Sequence, residues 1–354
     1  MKKLQIGWLH FLHAYTQRHF HFLQVRLLFL PIGSKQGDCF FGENQFASRG
    51  LFAKIENFIV GTVQGKTFAP GAIHGGMPRS NGGSGFGFGP SFYGMVLPYM
   101  EMTTLYNQLT FSGRSPGYIH EGGGTTLNGG LQNQPFILAA GPLPMGRCPS
   151  SDGPIAAIRS GTLTYSPFAH YAGISGCADP ATFTESRIFD DGVLGLISGG
   201  GMMIANKGQS FGTCSDGSSN TMLLGEMSGK LERLVKGTYS NIAASGDTHG
   251  WFMGTRVDGV PPNLVRAGNT GDERVFNTVS IRYSPNQEPF ANQLFPGMGS
   301  NVGANNPLNS NHTGGVTIGM TDGSVHFLSE NIQLESLKKL ASRDDGVPLG
   351  DVGF

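Results

Sequence analysis

The C-terminal stretch, residues 312–343, most strongly limits what this chain can fold into. Two β-prone runs, Val316–Met320 and Ser324–Leu328, are joined across Asp322-Gly323. Asp-Gly between such runs is a strong hairpin signal, because a type I′ turn needs a positive φ at both central positions. The sequence therefore predicts an antiparallel β-hairpin with its turn at Asp322-Gly323.

A short amphipathic helix is predicted directly after this hairpin. Its apolar residues recur at helical spacing and are Leu334, Leu337, Leu340 and Ala341. Asn331 is the predicted N-cap, and Asp345-Gly346 is the predicted stop. Glu335 and Lys339 are predicted to form a surface pair, because they lie four residues apart on one helix face.

Composition excludes one class of function and favours a loop-rich fold. Only 14% of the residues are charged and the formal net charge is zero, which argues against a nucleic-acid binder, since such a protein needs a basic surface. The 56 glycines far exceed the usual share. They predict long loops built from Gly, Ser, Asn and Thr, as is typical of β-rich extracellular proteins.

The middle of the chain is predicted to contain one packed helix. Apolar residues recur at helical spacing from Phe92 to Leu109, and Pro98 is expected to begin or kink a helix there. Its apolar face is predicted to pack on a sheet. A binding groove formed by Tyr99 and Tyr106 is the alternative interpretation.

Short strands and glycine-rich loops make up the rest of the pattern. Strands are predicted at residues 136–140, 162–174 (strand, turn, strand), 193–197, 221–224 and 279–283. Loops are predicted at 75–90 and 121–134, and the first lacks the Gly-Lys-Ser/Thr ending of a phosphate-binding loop. The predicted fold class is therefore α+β, with a largely antiparallel sheet, long loops, a helix near residues 92–109 and the C-terminal hairpin with its helix.

Five short motifs, in a fixed order, carry a resemblance to a known family. They are Thr67–Gly71; Leu97–Glu101 followed by Leu105-Tyr106-Asn107; Cys148-Pro149-Ser150-Ser151-Asp152; Ser215-Asp216-Gly217-Ser218-Ser219-Asn220-Thr221 leading to Glu226; and His312, nine residues, then Asp322-Gly323. This pattern resembles the prepilin-type proteins that carry a His-x9-Asp-Gly element, the family catalogued as domain of unknown function 1559. The resemblance covers roughly residues 65–354.

The resemblance implies a structural protein rather than an enzyme. It implies a pilin-like domain over residues 65–354 with a variable loop region near 237–310, located in the cell envelope or outside the cell. The partners that it implies are copies of itself or other pilin-like or secretion subunits. No catalytic residue, cofactor or metal ligand is expected. The motif residues are interpreted as fold determinants, because Asp-Gly, Asn and Pro commonly fix backbone geometry.

Residues 1–64 do not match the leader that this family usually carries. Their most apolar run, Phe22–Ile32, contains Gln24 and Arg26 and is too short for a membrane span of about 20 residues. We therefore expect residues 1–64 to be an atypical segment, either disordered or the product of a misassigned start or an upstream frameshift, which stands in place of the family's leader and its membrane-inserting helix. His10 and His13 would share a helix face, which suggests metal binding as an alternative.

Three more specific functions are compatible with the sequence. His312, Asp322 and Asp216 could form a hydrolase triad with a nearby serine, although no Gly-x-Ser-x-Gly element is present and His312 is expected to bond the backbone or the Asp322 turn. Asp216, Asn220 and Glu226 could bind calcium through oxygen atoms. An extracellular solute- or glycan-binding module is the main rival to the structural role, with Trp251 and Tyr239 as exposed stacking residues.

The four cysteines, Cys39, Cys148, Cys177 and Cys214, form no Cys-x-x-Cys pair, so a structural zinc site has no support from spacing. A Cys148–Cys177 disulfide is one expectation for an exported protein. Buried free thiols are the other.

Overall fold

The computed structural model describes most of the chain from Thr67 onward. The described residues are 67–75, 87–111, 115–119, 129–151, 156–159, 164–190, 195–235, 238–243, 249–265, 274–287, 295–298, 303–350 and 352–353. The segment 1–64, with its four clustered histidines and Cys39, and Asp152 of the Cys148 motif lie outside these residues.

The described chain contains fifteen strands and four α-helices. The strands are β1 Ala72–Gly75, β2 Gly87–Ser91, β3 Ala156–Arg159, β4 Thr164–Pro167, β5 Tyr171–Cys177, β6 Ile188–Asp190, β7 Leu196–Ser198, β8 Met222–Glu226, β9 Lys230–Val235, β10 Thr238–Ala243, β11 Asp258–Val260, β12 Asn263–Val265, β13 Thr278–Ile281, β14 Gly315–Met320 and β15 Val325–Ser329. The helices are α1 Phe92–Val96, α2 Thr103–Gln108, α3 Gly129–Ala140 and α4 Leu334–Ala341.

A five-stranded sheet in the order β13-β5-β8-β14-β15 forms the centre of the fold. Its neighbouring strands are antiparallel except β13 and β5, which run parallel. The remaining strands form two-stranded antiparallel pairs: β1-β2, β3-β4, β6-β7, β9-β10 and β11-β12. The predicted α+β class with a largely antiparallel sheet is confirmed.

Helices cover both faces of this sheet. Met222 packs with Leu337 and Leu340 of α4 in one buried cluster. Leu223, the next residue of β8, packs with Phe92 and Leu97 in another. Because successive strand residues point to opposite faces, β8 is apolar on both sides, and the sheet forms the middle layer of the fold.

The segment 92–109 packs on the sheet as predicted, but it is broken. Helix α1 passes into a 3-10 turn, Leu97–Met100, with Pro98 near its start, and α2 follows. Glu101 ends the turn in the left-handed region, at a φ of 60°. Of the two tyrosines in the alternative interpretation, Tyr99 is exposed, and the Tyr106 ring packs on Phe111 with the ring centroids 4.9 Å apart.

The predicted strand at 136–140 is wrong, and so is the end of the loop predicted before it. These residues belong to helix α3, which contains Pro135. A short apolar run does not distinguish strand from helix by its period. Tertiary contacts settle the choice, since the Asn133 side chain is buried and hydrogen-bonds the backbone of Thr110 and Pro116.

The other predicted strands are present with shifted ends. The strand-turn-strand at 162–174 corresponds to β4 and β5, and the strands at 193–197, 221–224 and 279–283 correspond to β7, β8 and β13. The loop predicted at 75–90 gives way to β2 from Gly87 onward. Boundaries move because backbone pairing, which the local sequence does not record, decides where a strand ends.

The C-terminal hairpin is confirmed, but its turn is not type I′. Gly323 N donates to Met320 O (3.0 Å) and Met320 N donates to Ser324 O (2.8 Å), which makes a three-residue loop. Positive φ occurs at Gly323, at 91°, and not at Asp322. The Asp322 carboxylate instead accepts hydrogen bonds from the Ser324 N–H and hydroxyl. The loop is thus a turn closed by a left-handed glycine.

We expect Gly323→Ala to lower the free energy of unfolding by about 1–2 kcal/mol, because a Cβ is strained at this φ. Urea denaturation followed by circular dichroism measures the change. Gly212→Ala is the matched control, since the nearest atom to its added Cβ lies 3.7 Å away and its φ is ordinary. If Gly323→Ala were as stable as Gly212→Ala, a side chain at residue 323 would not strain the turn, and the prediction would be wrong.

Helix α4 is confirmed, whereas its predicted cap and ion pair are wrong. Gln333 occupies the N-cap position rather than Asn331. Glu335 pairs with Lys338 at 3.0 Å and also accepts hydrogen bonds from the Ala181 and Thr182 N–H groups. Contacts to the loop after β5 therefore determine the Glu335 rotamer.

Within the part of the chain that the structure describes, no helix combines the length and the apolar character that a membrane span requires.

Candidate functional site

The structure separates the motif residues into two groups. One group surrounds Asp216 and ties the C-terminal tail to the body of the protein. The other brings together Cys148, Glu226 and His312, which come from three different motifs. Of the remaining motif positions, Pro149 and Ser219 are exposed.

The Asp216 carboxylate binds backbone, not a ligand. Its two oxygens accept hydrogen bonds from the Asp345 N–H (2.6 Å) and the Gly346 N–H (3.1 Å). Beside it, the buried Arg343 guanidinium donates to the carbonyls of Gly199 and Gly201, at 2.6 and 2.7 Å. Together these bonds fix the tail that follows α4.

The turn that follows Asp216 is fixed by its own side chains. Asn220 Nδ2 donates to Asp216 O (2.9 Å), and Thr221 Oγ1 donates to Gly217 O (3.1 Å), where φ is 100°. Thr321 Oγ1 in turn donates to Thr221 O (2.9 Å), which links this turn to the end of β14. These contacts hold the turn in one conformation and attach it to the end of β14.

Cys148, Glu226 and His312 meet because three segments converge beside the central sheet. Cys148 follows a short 3-10 turn, Pro144–Gly146, while Glu226 ends β8 and His312 lies just before β14. Cys148 Sγ lies 3.4 Å from His312 Nε2, and this nitrogen lies 3.8 Å from Glu226 Oε1. The expectation that His312 bonds the Asp322 turn is wrong, since the six residues of β14 separate them.

Glu226 is a carboxylate buried completely, at 0% exposure. The hydroxyls of Ser228 and Ser310 donate to Oε1, at 2.5 and 2.8 Å, and the Thr317 N–H donates to Oε2 at 2.9 Å. These bonds hold the carboxylate in one orientation. The negative charge of the carboxylate lies beside Cys148 and His312, and none of these three hydrogen-bond donors carries a positive charge.

The charge and burial of the site keep the thiol protonated. Burial, followed by the negative charge of Glu226, raises the pKa of Cys148 to about 12. His170 lies behind it and accepts a hydrogen bond from the Cys148 N–H at its Nδ1, at 3.1 Å. Burial, together with the nearby Arg147 charge, lowers the pKa of His170 to about 4, so this imidazole is neutral at pH 7.

This arrangement does not have the geometry of a catalytic triad. In a triad, the nucleophile bonds one imidazole nitrogen and the acid orients the ring through the other. Here Cys148 and Glu226 both face Nε2 of His312. The triad considered from the sequence is not formed either, because the Asp216 carboxylate is bonded to the tail and that of Asp322 to Ser324.

The calcium interpretation is also wrong. Asp216 and Asn220 precede β8, whereas Glu226 ends it, and five residues of strand span about 16 Å. The Asp216 oxygens accept from backbone N–H groups and the Glu226 oxygens from Ser228, Ser310 and Thr317. One cation could not contact all three.

Trp251 is not a stacking residue for a glycan. Its side chain is 0% exposed, its indole N–H donates to Gly141 O, and its ring packs edge-on against Phe252. The prediction that Trp251 is exposed is wrong, since a lone tryptophan in sequence carries no signal that separates a core position from a surface one. Its proposed neighbour, Tyr239, lies in β10.

Cys148, Cys177 and Cys214 are buried free thiols, so the Cys148–Cys177 disulfide is not present. Each sulfur is used differently: Cys148 faces His312, Cys214 donates to Thr221 Oγ1 (3.1 Å), and Cys177 packs in the core beneath α4.

We expect Cys177 to react with iodoacetamide at pH 8 at least about 1000-fold more slowly in the native protein than in urea, because burial raises its pKa to about 12 and leaves little thiolate. Since this value exceeds the unfolded one of about 8.5, its contribution to stability is present below pH 8.5 and is lost as the pH rises toward 12. Mass spectrometry of labelled peptides measures the rates. A Cys148–Cys177 linked peptide would contradict the free-thiol assignment.

Sequence reasoning singled out Cys148, Glu226 and His312 separately but did not bring them together. It also missed His170, Ser228 and Ser310, which surround them. The signal available in the sequence was that three motifs each contain a residue of a metal-binding type, namely Cys148, Glu226 and His312. Which of them meet is decided by the strand order β8-β14 and by the position of the segment between α3 and β3, and neither is encoded locally.

The fold and this site define an α+β protein whose motif side chains join distant segments of one central sheet. A family model described as a protein of unknown function (DUF1559) matches residues 70–335. The chain belongs to this family, as its motifs predicted. No curated protein and no solved structure matches the chain.

Proposed function

We propose that this protein is a non-enzymatic structural subunit of the cell envelope, similar to a type IV pilin or a type II secretion pseudopilin. The observation that carries this proposal is the use of the motif side chains. The side chains of Asp216 and Thr221 bond backbone groups of Asp345, Gly346 and Ser342, which lie more than a hundred residues away in the sequence. Residues used in this way stabilise a scaffold.

The hydroxyl groups beside the Glu226–His312 pair support the same conclusion. Ser228 and Ser310 both donate to Glu226 Oε1, so their protons are directed at the carboxylate and not at an imidazole that could accept them. A serine nucleophile needs a base within reach of its proton. The site therefore favours a structural role over hydrolysis.

The proposed location is the envelope or the cell surface, and the proposed partners are further copies of this chain or other pilin-like subunits. Membrane attachment would come from an apolar N-terminal helix of the kind that the family carries. The glycine-rich composition, with few charged residues and a formal net charge of zero, is compatible with an extracellular domain and does not favour nucleic acid as a partner.

The test is the N-terminus and location of the protein in the cells that produce it. We expect it in membrane or mechanically sheared surface material, with a processed N-terminus that depends on the leader peptidase and with cross-linked ladders of oligomers. A cytoplasmic marker enzyme is the fractionation control.

A soluble monomer that keeps Met1 would overturn the proposal. That result would favour the extracellular binding module instead, and its ligand would have to be held by residues other than Trp251, which is buried.

A further inference from the structure

Three side chains with different metal-binding atoms face one another at the edge of the central sheet. The Cys148 sulfur, one Glu226 oxygen and His312 Nε2 all lie within 4.8 Å of one another. The Sγ–Nε2 distance is 3.4 Å and the Nε2–Oε1 distance is 3.8 Å. A thiol, an imidazole and a carboxylate from separate segments are therefore gathered around one point.

These separations suit a tetrahedral zinc ion. Bonds of about 2.3 Å to sulfur and about 2.0 Å to nitrogen or oxygen place tetrahedral ligands roughly 3.3–3.6 Å apart. Because all three ligand atoms lie within 4.8 Å of one another, the separations need adjustments of roughly 1.3 Å at most. Calcium and magnesium are disfavoured because they take oxygen ligands, whereas the combination of sulfur, nitrogen and oxygen fits zinc.

The surroundings orient the carboxylate as outer-shell groups do in metal sites. Ser228 and Ser310 hold Glu226 Oε1, and the Thr317 N–H holds Oε2. Such bonds fix the direction of a ligand and raise metal affinity. A cation between the three side chains would also compensate the buried negative charge of Glu226, which is costly to keep without one.

The site has a route to solvent. The His312 side chain is 21% exposed, while that of Glu226 is 0% exposed, so one side of the cluster is open and the other is enclosed. The open side can admit the ion and hold a water molecule as its fourth ligand.

We propose that Cys148, Glu226 and His312 bind one Zn²⁺ ion, with water completing a tetrahedral site. Binding transfers the thiol proton of Cys148 to solvent as the sulfur–zinc bond forms. The ion would join the segment between α3 and β3, the end of β8 and the segment before β14. This inference goes beyond the proposed structural function and does not depend on it, since any scaffold with this geometry could hold the ion.

The test uses the full chain, stripped of metal with a chelator and titrated with Co²⁺ and then Zn²⁺. Cobalt bound to a thiolate gives an ultraviolet sulfur-to-metal charge-transfer band, which binding by histidines alone does not give. We expect this band to grow to saturation at roughly one cobalt per chain and to be abolished by added Zn²⁺. We also expect Zn²⁺ to raise the melting temperature by several degrees, because it binds the folded state.

Variants assign the band to this site. Cys148→Ser is expected to lose it, while Glu226→Gln and His312→Gln are expected to weaken metal binding by about 10-fold or more. Cys39→Ser and His326→Ala are the matched controls: the first removes the cysteine outside the described residues, and the second removes another histidine of the same hairpin. Both are expected to keep the band and the affinity.

A wild-type chain that gives no thiolate–cobalt band and retains no zinc after desalting would overturn the proposal and leave a hydrogen-bonded cluster. A band that disappears in Cys39→Ser but persists in Cys148→Ser would also overturn it. Because the wild-type spectrum alone decides the first outcome, the test does not depend on the folding of any variant.

Discussion

Trp251→Ala is expected to lower the free energy of unfolding by about 3–5 kcal/mol. The indole is completely buried, packs against Phe252 and donates its N–H to Gly141 O, so truncation leaves a large cavity and an unpaired carbonyl. Urea denaturation followed by far-ultraviolet circular dichroism measures the loss. Trp251→Phe is expected to recover part of it, since the ring volume is largely kept.

Val265→Ala is the control for this measurement, because that side chain is 56% exposed and ends the short strand β12. We expect a change within about 0.5 kcal/mol. A Trp251→Ala protein as stable as Val265→Ala would contradict the buried position and return Trp251 to the candidates for ligand binding.

Asn277→Ala is expected to cost about 2–4 kcal/mol. Its side-chain amide donates to the carbonyls of Gly250, Trp251 and Met253, at 3.1, 3.2 and 2.9 Å, and its own backbone lies in the left-handed region at a φ of 60°. Alanine would leave buried carbonyls unpaired in a conformation that asparagine tolerates better. The midpoint of urea denaturation, at unchanged slope, gives the effect.

Asn331→Ala is the matched control for Asn277→Ala. Asn331 is exposed and does not cap α4, because Gln333 takes that position. We expect almost no change in stability. A loss near 1 kcal/mol in Asn331→Ala would instead support the cap that the sequence suggested.

The parts of the fold that could be predicted are those encoded by neighbouring residues. The C-terminal hairpin follows from two β-prone runs joined at Asp322-Gly323, and α4 follows from the helical spacing of Leu334, Leu337 and Leu340 after them. The kink at Pro98 follows from the missing N–H of proline. In each case the residues that determine the structure lie within a short stretch of the sequence.

What could not be predicted depends on partners far along the chain. Helix α3 is held in place by hydrogen bonds from the Asn133 side chain to the backbone of Thr110 and Pro116. A short stretch of sequence does not show such contacts, so the strand predicted at 136–140 is wrong. Glu335 pairs with Lys338, not Lys339, because it also binds the loop after β5.

The candidate metal site is the extreme case of this dependence on distant contacts. Each of its side chains was named from sequence, yet Glu226 was grouped with Asp216 as a calcium ligand and Cys148 with Cys177 as a disulfide. The strand order β8-β14 places Glu226 beside His312, and the segment between α3 and β3 brings Cys148 to them.

The order of strands also has a consequence for how the chain is made. Strand β14 lies between β8 and β15 in the sheet, although β9 to β13 are synthesised after β8 and before it. Arg343 and the backbone of Asp345 then attach the tail to segments made more than a hundred residues earlier. Pairings of such long range form late and slowly. The emerging chain therefore cannot complete its central sheet until β14 and β15 leave the ribosome, and until then it remains open to chaperones and to transport in an unfolded state.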